Sequence, residues 1–98
     1  MSYTKNKRDG NEDAILELWR RLGCVWIEQP RENGFDGLLC RMGETWVVEI
    51  KDGGKPSSKR KLTPNEIERK AELEGIGAAY NIINNEQEAA ALVRLSFE

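Results

Sequence analysis

The chain has 98 residues, 39% of them hydrophobic and 33% charged, with a formal net charge of −2 and a pI near 5.3. That length supports one domain around one core, and the composition is that of a globular rather than a disordered chain. The charge excludes a general polyanion binder, so nucleic-acid contact requires a local basic patch or metal ions; the complete lack of histidine excludes His-based acid/base catalysis, Ser-His-Asp triads and His-ligated zinc.

Residues 1–10 form a polar, basic lead-in with Lys5, Lys7 and Arg8, expected to be flexible and able to add a contact to a polyanion. They contain no apolar signal core, and no apolar run approaches the ~20 residues that span a bilayer. Cys24 and Cys40 lack a CxxC spacing and read as buried free thiols. The expected compartment is the reducing cytoplasm.

Asp9 or Asn11 is positioned to cap a helix running to about Leu22, with Ala14, Ile15, Leu18, Trp19 and Leu22 as its apolar stripe and Gly23 as its stop. Cys24–Ile27 reads as a first strand and 29–34 as a turn. Residues 35–41 and 45–51 read as a hairpin around Gly43, with position 36 roughly opposite 50. Residues 52–61 read as a mobile loop. Thr63, Pro64 and Glu66 spell a capping box opening a second helix that stops at Gly75. Residues 77–83 read as a last strand, followed by a helix capped by Asn85 and bearing Ala89, Leu92 and Val93. The predicted order is αβββαβα, an α/β fold with a mixed four-stranded sheet in which the helical crossover sets the fourth strand parallel to the third.

The chemistry concentrates on Asp36 and, after twelve intervening residues along the hairpin, Glu49-Ile50-Lys51. Residues two apart on a strand share a face, so Glu49 and Lys51 point one way and Val48 and Ile50 the other. A single acid on a strand is ordinarily a solvated charge. Glu49, however, ends the apolar run Trp46-Val47-Val48, where a carboxylate must reach solvent, pair, or bind a cation. Two carboxylates on adjacent strands repel unless a cation lies between them. Only oxygen donors are on offer there, the main-chain carbonyl of Ile50 included, and these favour Mg²⁺ or Mn²⁺. Lys51 is suited to stabilise charge on an attacked phosphate.

Lys51, Lys55, Lys59, Arg60 and Lys61 face a single acid, Asp52, within residues 51–61, a local charge of +4 beside this cluster. Phosphate-backbone contact is the expected role. Trp19 belongs to the core stripe rather than to a base-stacking platform, and Trp26 and Trp46 read as packed or partly buried, or at a subunit interface. Nothing resembles a base-reading helix, so sequence specificity is not expected.

Asp36, Glu49-Ile50-Lys51 and the order of elements resemble the PD-(D/E)XK nuclease superfamily. More narrowly, Trp46–Gly53 followed by Lys61–Glu66 is similar to small stand-alone VRR-NUC (virus-type replication-repair nuclease) domains of phages and bacteria. The likeness covers about residues 7 to 95. It implies a restriction-endonuclease-like core, Asp36 and Glu49 as ligands of a catalytic Mg²⁺ or Mn²⁺, and Lys51 as a catalytic assistant. It further implies an endodeoxyribonuclease that cuts phosphodiester bonds as a homodimer, on branched DNA such as four-way (Holliday) junctions. An acid on the first helix often approaches the metal in that family, and Glu12 matches it; compensation of the helix dipole explains Glu12 equally well. Glu66 matches a near-site position on the following helix, as well as being a capping-box partner. Phe35 stands where the superfamily name has proline. The competing classes are a catalytically silent nucleic-acid-binding module of the same fold and a small interaction protein whose acids are surface charges.

Overall fold

The computed structural model describes residues 11–95; the basic lead-in at 1–10 lies outside that range. Helix α1 (Glu12–Arg21) precedes β1 (Val25–Glu28), β2 (Gly37–Arg41) and β3 (Glu44–Ile50). Helix α2 (Pro64–Gly75), β4 (Asn81–Ile83) and α3 (Glu86–Leu95) complete the chain. Short 3-10 turns occupy Arg31–Asn33 and Ser57–Lys59. The sheet order is β1-β2-β3-β4; the first three strands are antiparallel and β4 is parallel to β3. The chain is thus α/β with a mixed four-stranded sheet and three helices.

Local chemistry explains the boundaries. Helix α1 ends in a Schellman motif: Gly23 takes φ +86°, its N–H bonds to Arg20 O, and Cys24 N–H bonds to Trp19 O. Helix α2 begins with the capping box. Thr63 Oγ1 accepts from Glu66 N at 3.2 Å, and Glu66 Oε1 accepts from Thr63 N at 2.9 Å. Its stop is not Gly75, which remains helical, but Gly77 at φ +83°. Asn85 Oδ1 caps α3 through Glu88 N at 2.8 Å.

The hairpin turn is tighter than the sequence reading. Met42 (φ +51°) and Gly43 (φ +85°) form a two-residue connection, of the kind whose twist matches the flanking strands. Glu44 therefore belongs to β3 and pairs with Arg41. Gly37 opposes Val48, and Asp36, which precedes β2, meets β3 through its N–H on Val48 O and its Oδ2 on Ile50 N. The last strand is also shorter than expected, since the αL residue Gly77 turns the chain and pairing begins only at Asn81.

The core lies between the sheet and the pair α1 and α3. Ile15, Trp19, Leu39, Val48, Ile50, Ile83, Ala89 and Val93 form it, and each fully buried aliphatic contributes about 1.5–3 kcal/mol. Trp19 Nε1 donates to Ala89 O at 3.0 Å, joining the two helices, and its ring stacks on Trp26 with centroids 5.5 Å apart. Gly37 makes room for that stack, because a Cβ there would lie 2.4 Å from the Trp26 ring. Two expectations fail here. Ala14 is exposed, lying off the buried stripe, and Cys24 and Cys40 are half-buried free thiols rather than core residues. Trp26 and Trp46 are half-buried, packed against the core. Among the described residues, no helix is long and apolar enough to cross a membrane.

Candidate active site

The hairpin brings the predicted acids together at the end of β3. Asp36 is fixed by its backbone: its N–H bonds to Val48 O, and its carbonyl accepts from Gln29 N. Its Oδ2 accepts from Ile50 N at 2.7 Å, so the Asp36 carboxylate holds the peptide that carries Ile50. Glu49 is 3% exposed and near enough to Asp36 for that charge to raise its pKa. Its Oε1 is buried with no hydrogen-bond partner among the described residues, while its Oε2 lies 3.3 Å from Lys51 Nζ. Lys51 also pairs with Glu66 Oε1 at 3.1 Å. Glu66 thus does both things the sequence suggested, closing the capping box on Thr63 and entering the cluster.

Electrostatics divide these groups. Burial pushes the Glu49 carboxyl up to about 9 from an ordinary 4.5; the charges of Asp36 and Glu66 and a hydrogen bond with Glu66 push the same way, and Lys51 opposes them. Glu66 moves the other way: burial would raise it, but the Thr63 N–H, the hydrogen bond with Glu49 and the Lys51 ammonium outweigh that and hold it low. Burial likewise works against the Lys51 ammonium, yet its bond to Glu66 and the charges of Glu49 and Glu66 leave its pKa raised. Glu49 is thus pushed up and Glu66 down, with the Lys51 ammonium in contact with both carboxyl groups.

Glu12, at the start of α1, is 4% exposed. The adjacent Asn11 does not cap the helix with its side chain. Its Nδ2 instead donates to Lys51 O at 3.2 Å and Asn84 O at 2.7 Å, tying the first turn of α1 to the ends of β3 and β4. Asn11 was legible only as a cap, and its bridging role needs the tertiary fold. Tyr80 was missed altogether. It is 7% exposed, its hydroxyl donates to Gly34 O at 2.7 Å, and its pKa is raised by burial and then by the charges of Glu49, Glu66 and Asp36. The loop before Asp36 is clamped further from α2, where Asn65 donates to Arg31 O and Arg69 to Asn33 O.

The basic segment divides in two. Lys55, Lys59 and Lys61 are exposed. Arg60 is half-buried, its Nη1 reaching Asn84 Oδ1 at 3.5 Å, and its Nε is buried without a partner among the described residues. The segment is not featureless: Gly54 N bonds to Asp52 Oδ1 and Gly53 N to Asn84 O. A side chain on Gly53 would place a Cβ 2.5 Å from that carbonyl.

For a hard cation the fold offers the carboxylates of Asp36 and Glu49 beside the Ile50 peptide, an all-oxygen set suited to Mg²⁺ or Mn²⁺. The buried, unpartnered Glu49 Oε1 fits such an ion. Among the described residues, no three cysteine or carboxylate side chains converge as a ready-made cage, so water or phosphate oxygens would have to complete the shell. Comparison of the chain with protein-family models and with curated proteins gave no match.

Proposed function

We propose that the chain is a Mg²⁺- or Mn²⁺-dependent endonuclease that hydrolyses DNA phosphodiester bonds, built on a restriction-endonuclease-like αβββαβα core and acting as a homodimer on branched DNA such as four-way junctions. The observation that carries this reading is the buried Glu49 carboxyl with an unpartnered oxygen, within reach of the Asp36 charge and beside Lys51. An apolar strand end is a costly place for two carboxylates unless a cation belongs between them. The resemblance of Asp36 and Glu49-Ile50-Lys51 to the PD-(D/E)XK nucleases supports the choice of chemistry.

When bound, a divalent cation supplies polarisation of a phosphoryl oxygen and a more acidic water. Asp36 and Glu49 would hold it, with the Ile50 carbonyl as a further donor. Asp36 also fixes the Ile50 peptide through Oδ2, which keeps the two acids in register. Lys51, held by Glu66 at 3.1 Å, presents an ammonium to the charge that develops on the attacked phosphate. Lys55, Lys59 and Lys61 contact flanking phosphates without reading sequence, and Arg60 reaches the backbone from its anchored position on Asn84. The proposed site of action is the cytoplasm.

The test is cleavage of labelled linear duplex, single strand, flap and four-way junction in Mg²⁺, Mn²⁺ or EDTA, by wild type and Lys51→Ala. Metal-dependent cutting that is lost in the variant is expected, with symmetric incisions in the junction. Binding of these DNAs without any cutting would refute the nuclease and favour the catalytically silent binding module.

A further inference from the structure

Asp36 stands outside the strand that follows it. β2 begins at Gly37, and the approach to Asp36 is the Arg31–Asn33 turn followed by Gly34 and Phe35. Beyond the turn's own bonds, Asn33 N to Pro30 O and Gly34 N to Arg31 O, this approach belongs to no ladder. Connections of that kind are where a fold opens first. A carboxylate that holds an ion must nevertheless stay within about half an ångström of its place.

Three donors from α2 and the chain leaving it grip this approach. Asn65 Nδ2 donates to Arg31 O at 2.9 Å, Arg69 Nε to Asn33 O at 2.7 Å, and the Tyr80 hydroxyl to Gly34 O at 2.7 Å. All three acceptors are main-chain carbonyls, so the grip is on the course of the backbone. Asn65 and Arg69 are four residues apart and share a side of α2. Their contact with the turn is close: a Cβ on Gly34 would lie 2.7 Å from Arg69 Cβ and 2.9 Å from Asn65 O. Glu72 steadies the Arg69 guanidinium at 2.9 Å. Tyr80 is buried, and it feels the charges of Glu49, Glu66 and Asp36, which sets it beside the acid cluster. Helix α2 contributes no buried residue, so polar bonds of this kind seat it, and the same helix brings Glu66 to Lys51.

We propose that Asn65, Arg69 and Tyr80 form a backbone clamp that positions the Asp36 carboxylate for a divalent cation, with the Tyr80 hydroxyl as its buried anchor. The inference rests on the metal-dependent reading above and adds positioning residues to it. Fixing the carbonyls of residues 31, 33 and 34 fixes the path of the chain up to two residues before Asp36. Asp36 then meets β3 with its N–H on Val48 O and its Oδ2 on Ile50 N. With a donor removed, the approach takes several courses and the carboxylate spends part of its time away from the Ile50 peptide. Ion binding must then reorder the segment, and the apparent affinity falls by the competent fraction. Excess ion repopulates the competent form, so the loss is one of affinity.

The test uses the full chain as wild type, Tyr80→Phe and Asn65→Ala, with Glu74→Ala as control. Phenylalanine keeps the buried ring and removes only the donor, and alanine suits an exposed helix position, so circular dichroism should show every protein folded. Glu74 lies nine residues after Asn65, on the opposite side of α2, and pairs with Lys70. In metal-free protein, hydrogen exchange of the Asp36 and Ile50 amides should quicken roughly fivefold in both test variants, while amides in the middle of β2 and β3 keep wild-type protection. Mn²⁺ titration, read from the paramagnetic resonance of the free ion, should give about tenfold weaker binding in both, the usual effect of losing a partner behind a ligand. Cleavage of the four-way junction should need correspondingly more Mn²⁺ and be restored by excess, with KM for DNA unchanged. Bonds that only stabilise the fold would lower the melting temperature and leave Mn²⁺ affinity alone. Wild-type Mn²⁺ affinity in both variants would therefore overturn the clamp and leave the nuclease standing. A wild type that binds no Mn²⁺ would overturn the metal site and the clamp together. Mn²⁺ binding that the variants weaken, without cleavage by wild type, would uphold the clamp and sink the nuclease.

Discussion

Replacing Glu49 by glutamine isolates the electrostatic core of the site. Glu49 is buried and its carboxyl is pushed from 4.5 to about 9, first by burial and then by Asp36 and Glu66. Between those two values the native protein keeps a proton that the unfolded chain releases. The native state therefore binds more protons, and its stability falls as pH rises through that window. The limit is about 1.4 kcal/mol per pH unit, or about 4 kcal/mol between pH 5 and 8. Water entering around an ionising carboxylate lowers this to on the order of 2 kcal/mol. Glu66 does not confuse the window, because its pKa is lowered and its contribution is complete above the ordinary 4.5. The amide introduced by Glu49→Gln keeps the shape of the carboxyl and can donate a hydrogen bond, but it does not titrate. In EDTA, urea unfolding followed by tryptophan fluorescence should show the Glu49→Gln variant gaining on wild type by about 2 kcal/mol from pH 5 to pH 8, roughly 10 °C in melting temperature. Parallel stability profiles for the two proteins across that range would refute the buried-proton reasoning.

Adding Mn²⁺ should reverse that ranking: wild type gains stability, more at pH 8 than at pH 6 because the Glu49 proton must leave, while Glu49→Gln and Asp36→Asn gain little; thermal melts at both pH values measure it. Gly37→Ala drives a methyl group to 2.4 Å from the Trp26 ring and should cost about 1–3 kcal/mol by overpacking, read as an earlier urea midpoint. Thr63→Ala removes half of the capping box and should cost about 1 kcal/mol, with a matching loss of helix signal on heating. Changing Lys55, Lys59 and Lys61 together to Ala should weaken DNA binding uniformly across sequences and flatten the log–log salt dependence by about 3 units, as fluorescence anisotropy would show.

The sequence by itself determined the order of elements and most of their ends. Periodicity set α1 on Ile15 and Trp19, and local chemistry set the caps at Gly23, Thr63 and Asn85, because a cap depends on residues three or four apart and needs no partner from afar. It also set Glu49 and Lys51 on one face of a strand, since alternation is a property of the chain alone. Register was different. Whether Met42-Gly43 or a longer break makes the turn decides which residues pair along the hairpin, down to Gly37 opposite Val48, and that choice depends on two positive φ angles that Gly43 invites but does not compel. Only the tertiary structure decided that Glu49 is buried with an unpartnered oxygen, since burial follows from what α2 and β4 lay over it. The same holds for Asn11, which serves as a bridge to Lys51 and Asn84 across 40 and 73 residues rather than as a cap. It holds for Tyr80, brought to the Asp36 loop from 46 residues away.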